Sequence, residues 1–247
     1  SIEQLLSASV ILLDKPAGPS SHQLAAWAKD LMGLEKMGHG GTLDPFATGV
    51  LPLLLGKTMR LTGAMLGQEK CYVAVMRFSE APGADELASA TDALKGRIYN
   101  VPPEISAVKV QVRTRTVSEF EVLDVDGRFA VMKIKCEAGT YIRTIARDLG
   151  LLLAQEVELV ELRRTFSGNF GERHCVTMEM IADAFWLWQT KSDEAALRKM
   201  LLPIETLVEV YPQVLVKDAA VGALSHGAPL ARPGLVSVSK GASKGET

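Results

Sequence analysis

Lys70 to Phe78 is apolar on both faces: Tyr72, Ala74 and Met76 fall on one side of an extended chain, and Cys71, Val73 and Val75 on the other. Successive side chains of a strand point to opposite faces, so such a strand calls for a packed layer against each of them. The chain is therefore expected to build a sheet with this strand in its middle. At 247 residues it is long enough for one sizeable core, or for one large domain with a small appendage. A hydrophobic fraction of 47% beside 23% charged residues excludes a disordered chain.

The rest of the chain supplies strands and helices to surround it. Val10 to Leu13 reads as a short buried strand that stops at Asp14-Lys15-Pro16-Ala17-Gly18-Pro19, a run of turn residues. Ser20 or Ser21 then caps a helix whose apolar positions Leu24, Trp27, Ala28 and Leu31 recur at helical spacing, with Gly33 ending it. Gly49 to Leu66 predicts a strand or turn followed by a helix bearing Lys57 and Arg60. Residues 84–95 are helical in pattern up to Gly96, and Pro102-Pro103 forbids regular structure before a strand over Ala107 to Val112. Strands over Glu119 to Val125 and Phe129 to Cys136 flank an Asp-Gly hairpin signal at Asp126-Gly127. A helix follows from Tyr141 to Leu153, and Ser167-Gly168-Asn169 is a turn. Met178 to Gln189 and Ser192 to Leu202 read as helices, the second capped by Ser192. Past Pro212 come a short strand, Val214 to Val216, a helix to His226 and a tail of glycine, proline and serine. That change of texture puts a boundary near residue 210, and residues 210–247 are too few for an independent core.

The formal net charge of −2 gives no global attraction for nucleic acid, so any RNA site must be a local patch. Cys71, Cys136 and Cys175 lie far apart in no metal-ligand spacing, and His22, His39, His174 and His226 form no recognisable pair. No disulfide framework is expected and no metal is assigned; a reducing compartment is the default. The apolar run Val10 to Leu13 is too short for a signal peptide, and Gly49 to Leu55 is far short of the about 20 residues that cross a bilayer. A soluble intracellular protein is the expectation.

Five places combine polar function with loop or strand-end position. Gly38-His39-Gly40-Gly41-Thr42-Leu43-Asp44-Pro45 holds one carboxylate in a loop that glycine opens and proline stiffens, since Pro45 biases Asp44 away from helix. Such a carboxylate serves as nucleophile, base or ligand, although Asp before Pro is also ordinary turn chemistry. Tyr72, at a strand start, would stack on a flat ligand or simply fill a core. Gly139-Thr140-Tyr141-Ile142-Arg143 opens a helix and offers Arg143 to a carboxylate, or to solvent. Leu162-Arg163-Arg164-Thr165 precedes a turn and reads by itself as a solvated basic pair. Lys109, Arg113 and Arg115 alternate with Val108, Val110 and Val112 and with the threonines Thr114 and Thr116, so an extended segment would present them on one face toward successive phosphates.

Taken in order, these blocks resemble the TruB family of RNA pseudouridine synthases along nearly the whole chain. The matching stretches are Leu13-Asp14-Lys15-Pro16-Ala17-Gly18-Pro19-Ser20-Ser21-His22, His39-Gly40-Gly41-Thr42-Leu43-Asp44-Pro45 with Ala47-Thr48-Gly49-Val50-Leu51-Pro52, and Lys70-Cys71-Tyr72. They continue with Pro102-Pro103-Glu104-Ile105-Ser106-Ala107-Val108-Lys109, Gly139 to Arg143, and Leu162 to Thr165. Within the family the chain is similar to the dyskerin branch, the catalytic subunit of archaeal and eukaryotic box H/ACA ribonucleoproteins. The cues are Val112-Arg113-Thr114-Arg115-Thr116-Val117, Glu137 to Thr144, and Lys217-Asp218-Ala219-Ala220-Val221 with His226-Gly227-Ala228-Pro229-Leu230. In that branch the segment resembling 212–235 opens a complete PUA domain, whereas this chain stops within about a dozen residues.

The resemblance implies an α+β protein with a central mixed, mostly antiparallel sheet flanked by helices. Residues 1–209 would form the catalytic domain and 210–247 a partial PUA-like RNA-binding segment. It implies an isomerase that converts uridine to pseudouridine in transfer or ribosomal RNA, without cofactor or metal. Asp44 would be the catalytic nucleophile or base, Arg143 its ionic partner, and Tyr72 the ring against the flipped uracil, assisting proton removal from carbon 5. Tyr141 and Leu162 would shape the pocket, His39 would contact RNA, Lys15 would support the Asp44 loop, and Lys109, Arg113 and Arg115 would meet phosphates. Implied partners are a box H/ACA guide RNA and small accessory proteins, with no membrane, in the cytoplasm or, in a eukaryote, the nucleolus. Three other readings stand beside it: a stand-alone transfer-RNA uridine-55 isomerase, a non-catalytic RNA-binding scaffold, and an aspartate-dependent glycosidase. The last generally needs a second placed carboxylate, for which Asp14 and Asp148 are the available acids.

Overall fold

A computed structural model of the protein describes residues 1–102 and 112–239, and the chain divides into two compact units, Ser1–Ile204 and Glu205–Thr247. The first unit opens with α1 (Ile2–Ser7), β1 (Ser9–Lys15), α2 (Ser21–Leu31), β2 (Met37–His39) and β3 (Thr48–Leu55). A 3-10 turn over Gly56–Leu61 leads to α3 (Thr62–Leu66), β4 (Lys70–Phe78), α4 (Ala84–Ala93) and β5 (Gly96–Asn100). Then come β6 (Arg113–Asp126), β7 (Phe129–Cys136), α5 (Ile142–Leu152), β8 (Val157–Ser167) and β9 (Phe170–Gly171). The unit closes with α6 (Met178–Lys191), α7 (Ala195–Met200) and β10 (Leu202–Pro203). In the second unit, β11 (Val214–Val216) and β12 (Leu235–Val238) pair antiparallel and enclose α8 (Asp218–Ser225) in sequence.

The strands of the first unit form one sheet in the order β10-β1-β3-β8-β4-β7-β6-β5, with β2 added to β3 and β9 to β8. Every pairing is antiparallel except β3 with β8, so the sheet is mixed and mostly antiparallel, as expected. That parallel pairing joins two halves, each with its own core. Residues of β4, β6, β7, β8, α4 and α5 supply one, including Met76, Phe78, Phe120, Met132, Ile145 and Leu149. Residues of α1, β1, α2, β3, α6 and α7 supply the other, including Ile2, Ile11, Leu24, Leu53, Ile181 and Leu197.

Several elements match the pattern reading: β7 and β11 have the expected bounds, and Ser20 caps α2 by accepting from the Gln23 amide. Others depart from it. On α2 the buried stripe is Ser21, Leu24, Ala25 and Ala28, the i, i+3, i+4, i+7 positions, which leaves Trp27 and Leu31 on its flank, 51% and 37% exposed. In β4 the Tyr72 face is buried and central between β7 and β8, but Val73 and Val75 are only half-buried, so the second covering layer is thin. Ser192 caps the preceding helix: its φ of 56° is left-handed and its amide donates to the Trp188 carbonyl. Lys57 and Arg60 sit in the 3-10 turn, and β5 and β8 are strands that local pattern did not mark. The expected strand from Ala107 lies almost wholly outside the described residues. Among the described residues no helix is long and apolar enough to cross a membrane, and no group of three or more His, Cys, Asp or Glu could hold a metal ion.

Candidate active site

The seam between the two halves of the sheet creates the site. β3 begins beside β8, Thr48 opposite Arg163 and Gly49 opposite Arg164, at a separation only glycine tolerates. Gly49 has φ 100°, and a Cβ there would overlap the Arg164 carbonyl and stand 2.8 Å from its amide nitrogen. The close approach lets the buried Arg164 guanidinium donate from Nε to the Val50 carbonyl at 2.8 Å.

The loop that enters this seam carries Asp44, and its backbone is tied down on both sides. Ser21 Oγ accepts from the Leu43 amide at 2.9 Å, and the Gly18 amide donates to the Pro45 carbonyl at 2.8 Å. Lys15, fully buried, donates from Nζ to the carbonyls of Pro16 at 2.8 Å, Pro45 at 3.0 Å and Ala47 at 2.7 Å. An ammonium in the interior is tolerated because three carbonyl dipoles replace its water. Burial still pushes its pKa down, against a pull upward from Asp44.

Asp44 itself is half-buried and faces Arg143, which the first turn of α5 supplies. Arg143 Nε lies 2.9 Å from Asp44 Oδ2 and Nη2 donates to Oδ1 at 3.0 Å, a two-point grip that aims both carboxylate oxygens. Arg143 and Asp44 side chains keep 29% and 32% of their exposure, so the pair is open to a cleft.

The opposite wall comes from β4 and β8. The register slips between Cys71 and Tyr72, so that Cys71 faces Phe166 while Tyr72 faces Arg164. This bulge re-aims two side chains on one face. Arg164 lies opposite Tyr72 across the strand pair, and the two influences on that phenol oppose each other: burial pushes its pKa up, and the Arg164 charge draws it back. Lys70, two residues earlier on the same face, is buried and donates to the Met65 and Gln68 carbonyls at 3.0 and 2.7 Å. Burial and nearby Arg164 lower its pKa to about 8. Asp44, Arg143, Tyr72, Arg164, Tyr141 and Leu162 line one cleft of about 500 Å³, within the size range of small-ligand pockets.

The fold recurs in known proteins. Residues 29–85 match the TruB family pseudouridylate synthase N-terminal domain, and residues 143–209 match the tRNA pseudouridylate synthase B C-terminal domain. The chain is 43% identical over 246 residues to the probable tRNA pseudouridine synthase B of Pyrobaculum aerophilum, covering 100% of this chain and 74% of that protein. It belongs to the TruB family of pseudouridylate synthases. Among solved structures, this TruB-family chain is similar to a chain of a Cbf5-Nop10-Gar1 complex, with a TM-score of 0.93 and 42% identity over 98% of this chain and 74% of that one. It is also similar to a chain of an H/ACA ribonucleoprotein bound to a substrate RNA containing 2′-deoxyuridine, with a TM-score of 0.92 and 39% identity over 100% of this chain and 75% of that one.

The TruB fold brings some sequence-predicted residues together and leaves others apart. Asp44, Tyr72, Arg143, Tyr141 and Leu162 share the cleft, and Tyr141 is fixed there by Asn100, which accepts from its amide at 2.9 Å. Lys15 lies beneath the Asp44 loop. His39 ends β2 with Nδ1 3.2 Å from the Gly41 carbonyl, beside the cleft but not among its lining residues; burial lowers its pKa most. Arg113 and Arg115 begin β6 and are not among the residues lining the cleft; Arg115 pairs with Glu137 at 3.7 Å and packs near Gly139, which does line it. Lys109 lies outside the described residues.

The solvated basic pair is corrected by the TruB fold: Arg164 is 1% exposed, and Arg163 is bound to Asp14 at 3.0 and 3.2 Å and to Glu172 at 2.8 Å. That network also engages Asp14, so it offers no second free carboxylate. Arg164 and Lys70 are the site residues that sequence reasoning passed over. A signal existed, since period-two spacing places Lys70 on the face of Tyr72, and Arg164 on the face of Leu162.

Proposed function

We propose that this chain isomerises uridine to pseudouridine with Asp44 as the catalytic carboxylate, Arg143 as its ionic clamp and Tyr72 as the ring against the base. The observation that carries the reading is the two-point Asp44–Arg143 pair, open to the cleft and facing the Tyr72–Arg164 wall. A target base inside a helix is out of reach of such a carboxylate, so the nucleotide must leave the stack and enter the cleft. There Asp44 attacks the sugar or the ring as the bond from N1 to C1′ breaks. The base turns, C5 rejoins C1′, and the proton lost at C5 is balanced by the one gained at N1, so no co-reactant is consumed. Arg143 aims the carboxylate, and Arg164, whose charge lies beside the Tyr72 phenol, eases proton removal at the last step. Tyr141 and Leu162 close the cleft walls, His39 reaches flanking RNA, and Lys109, Arg113 and Arg115 meet phosphates.

The similarity to chains of a Cbf5-Nop10-Gar1 complex and of an H/ACA ribonucleoprotein supports guidance by a box H/ACA RNA with small accessory proteins. Transfer and ribosomal RNA are then the substrates, and ribosome biogenesis the setting. The relatives' name favours a second reading, a stand-alone enzyme acting on bare transfer RNA. Three free thiols suit a reducing compartment, cytoplasmic or nucleolar. Residues 210–247 are assigned to a partial PUA-like segment, in keeping with a C-terminal-domain match that ends at residue 209.

Pseudouridine formation assayed with guide RNA, without it, and with Asp44→Asn tests the reading. Guide-dependent turnover that Asp44→Asn abolishes, with RNA binding kept, is the expected result. Turnover by the Asn variant would overturn the assignment, and equal turnover without guide would favour the stand-alone enzyme.

A further inference from the structure

We propose that Lys36, Lys57 and Arg60 form a second RNA contact, a phosphate-binding shelf beside the cleft that holds the strand flanking the target uridine. This rests on the reading of the chain as an RNA isomerase, but on different residues. The three cations rim a separate concavity of about 540 Å³ whose apolar lining includes Leu6, Leu34 and Met59. Two backbone features hold the cations together. The Gly56 amide donates to the Lys36 carbonyl at 3.1 Å, which fixes Lys36 beside Lys57, and the 3-10 turn over Gly56–Leu61 carries Lys57 and Arg60.

All three side chains are exposed, and among the described residues none takes part in an ion pair or a side-chain hydrogen bond. Several other surface cations of this protein are spent on neighbours: Lys95 on Asp92, Lys133 on Glu119, Arg163 on Asp14, Arg198 on Glu194. Among the described residues Glu35 is the single acid lining the same concavity, so three positive charges face one negative one. In a chain of net charge −2, a local excess of this kind is what an RNA backbone would find.

The shelf is also joined to the cleft. From Arg60 the chain runs through α3 to Leu66, which lines the cleft with Asp44 and Tyr72. Six residues at 1.5 to 2.0 Å each span roughly 10 Å, a short reach along an RNA strand. On the other side β2 leads from Lys36 to His39, two residues before cleft-lining Gly41.

The experiment compares wild type with a K36Q/K57Q/R60Q variant, using an unmodified transfer-RNA transcript as probe, over a salt series. Every phosphate that is no longer neutralised should flatten the log–log salt dependence of affinity by about 0.7 to 0.9. The expected result is a slope shallower by about 2, affinity at 0.1 M salt lower by 10- to 100-fold, and turnover at saturating RNA within twofold of wild type. A K36R/K57R variant should keep the wild-type slope. A control K95Q/K191Q/K199Q variant should also keep it; if the control flattens the slope as much, the shelf is no specific RNA site and the proposal fails. Unchanged slope and affinity in K36Q/K57Q/R60Q would overturn it too, and would leave an acidic protein segment as the occupant. Wild-type protein that binds RNA but makes no pseudouridine even with guide RNA and accessory proteins would refute the catalytic reading alone, because the slope comparison decides the shelf independently.

Discussion

Arg143 grips Asp44 through two parallel contacts, 2.9 Å from Nε to Oδ2 and 3.0 Å from Nη2 to Oδ1, between residues 99 positions apart in the chain. The pair is half-exposed to the cleft, so its worth lies in aiming the carboxylate more than in stabilising the fold.

Removing the clamp should therefore cost rate and little else. For Arg143→Ala we expect normal melting and near-normal RNA affinity, with turnover lower by two or more orders of magnitude, the loss typical of an electrostatic partner. Arg143→Lys restores the charge but not the fork, so only part of the rate should return. Steady-state kinetics read both, and wild-type-like turnover in the Ala variant would remove the ion pair from the mechanism.

Tyr72 gives a separate test, because Phe keeps the ring and deletes only the hydroxyl, whose pKa burial raises and the nearby Arg164 draws back. A group that moves a proton in the reaction contributes about 10²- to 10⁴-fold. Tyr72→Phe is expected to bind RNA as wild type does and to turn over at least about 100-fold more slowly. Full activity in this variant would reduce Tyr72 to a packing wall.

Gly49 bears on the seam itself. An alanine there must adopt φ 100° and press its Cβ into the Arg164 backbone, a strain of roughly 2 kcal/mol or more. For a chain of this size that lowers Tm by about 4 to 8 °C. Activity should fall as well, since the same close approach seats Arg164. A melting curve identical to wild type would mean the strands part there without penalty.

Lys70 links the site to pH. Its native pKa of about 8 lies below the ordinary 10.5, so between those values the unfolded chain binds more protons than the folded one. This residue's contribution to stability is thus fully present above 10.5 and is lost as pH falls toward 8, by no more than about 3 kcal/mol. Burial of Cys136, whose thiol is raised to about 12, acts in the opposite sense above pH 9, so the Lys70 effect is best read directly. An NMR titration of its side-chain carbon is expected to show a midpoint near 8. A midpoint above 10 would mean that solvent reaches the ammonium.

Much of the local structure was legible in the chain because its causes are local. Ser20 before a helix, the apolar alternation of Phe129 to Cys136 and the Asp-Gly turn at 126 each act within a few residues. Asp44, Tyr72 and Arg143 were legible as well, since a carboxylate between glycine and proline, a ring at a strand start and an arginine at a helix start are written in consecutive letters. Where local pattern failed, the deciding neighbour was distant. Trp27 lies on the flank of α2 because the buried stripe faces a partner the helix sequence does not contain.

The sequence by itself determined the family, most strands and helices, and three of the residues that meet in the cleft. Only the tertiary structure decided that Arg164 and Lys70 are buried cations of that cleft and not a solvated surface. Their burial depends on carbonyls from Val50, Met65 and Gln68, and on a glycine seam and a strand bulge that bring β8 against β3 and β4. A charge in the interior is stable only where dipoles from elsewhere in the chain replace water, and no local pattern records where those dipoles will be.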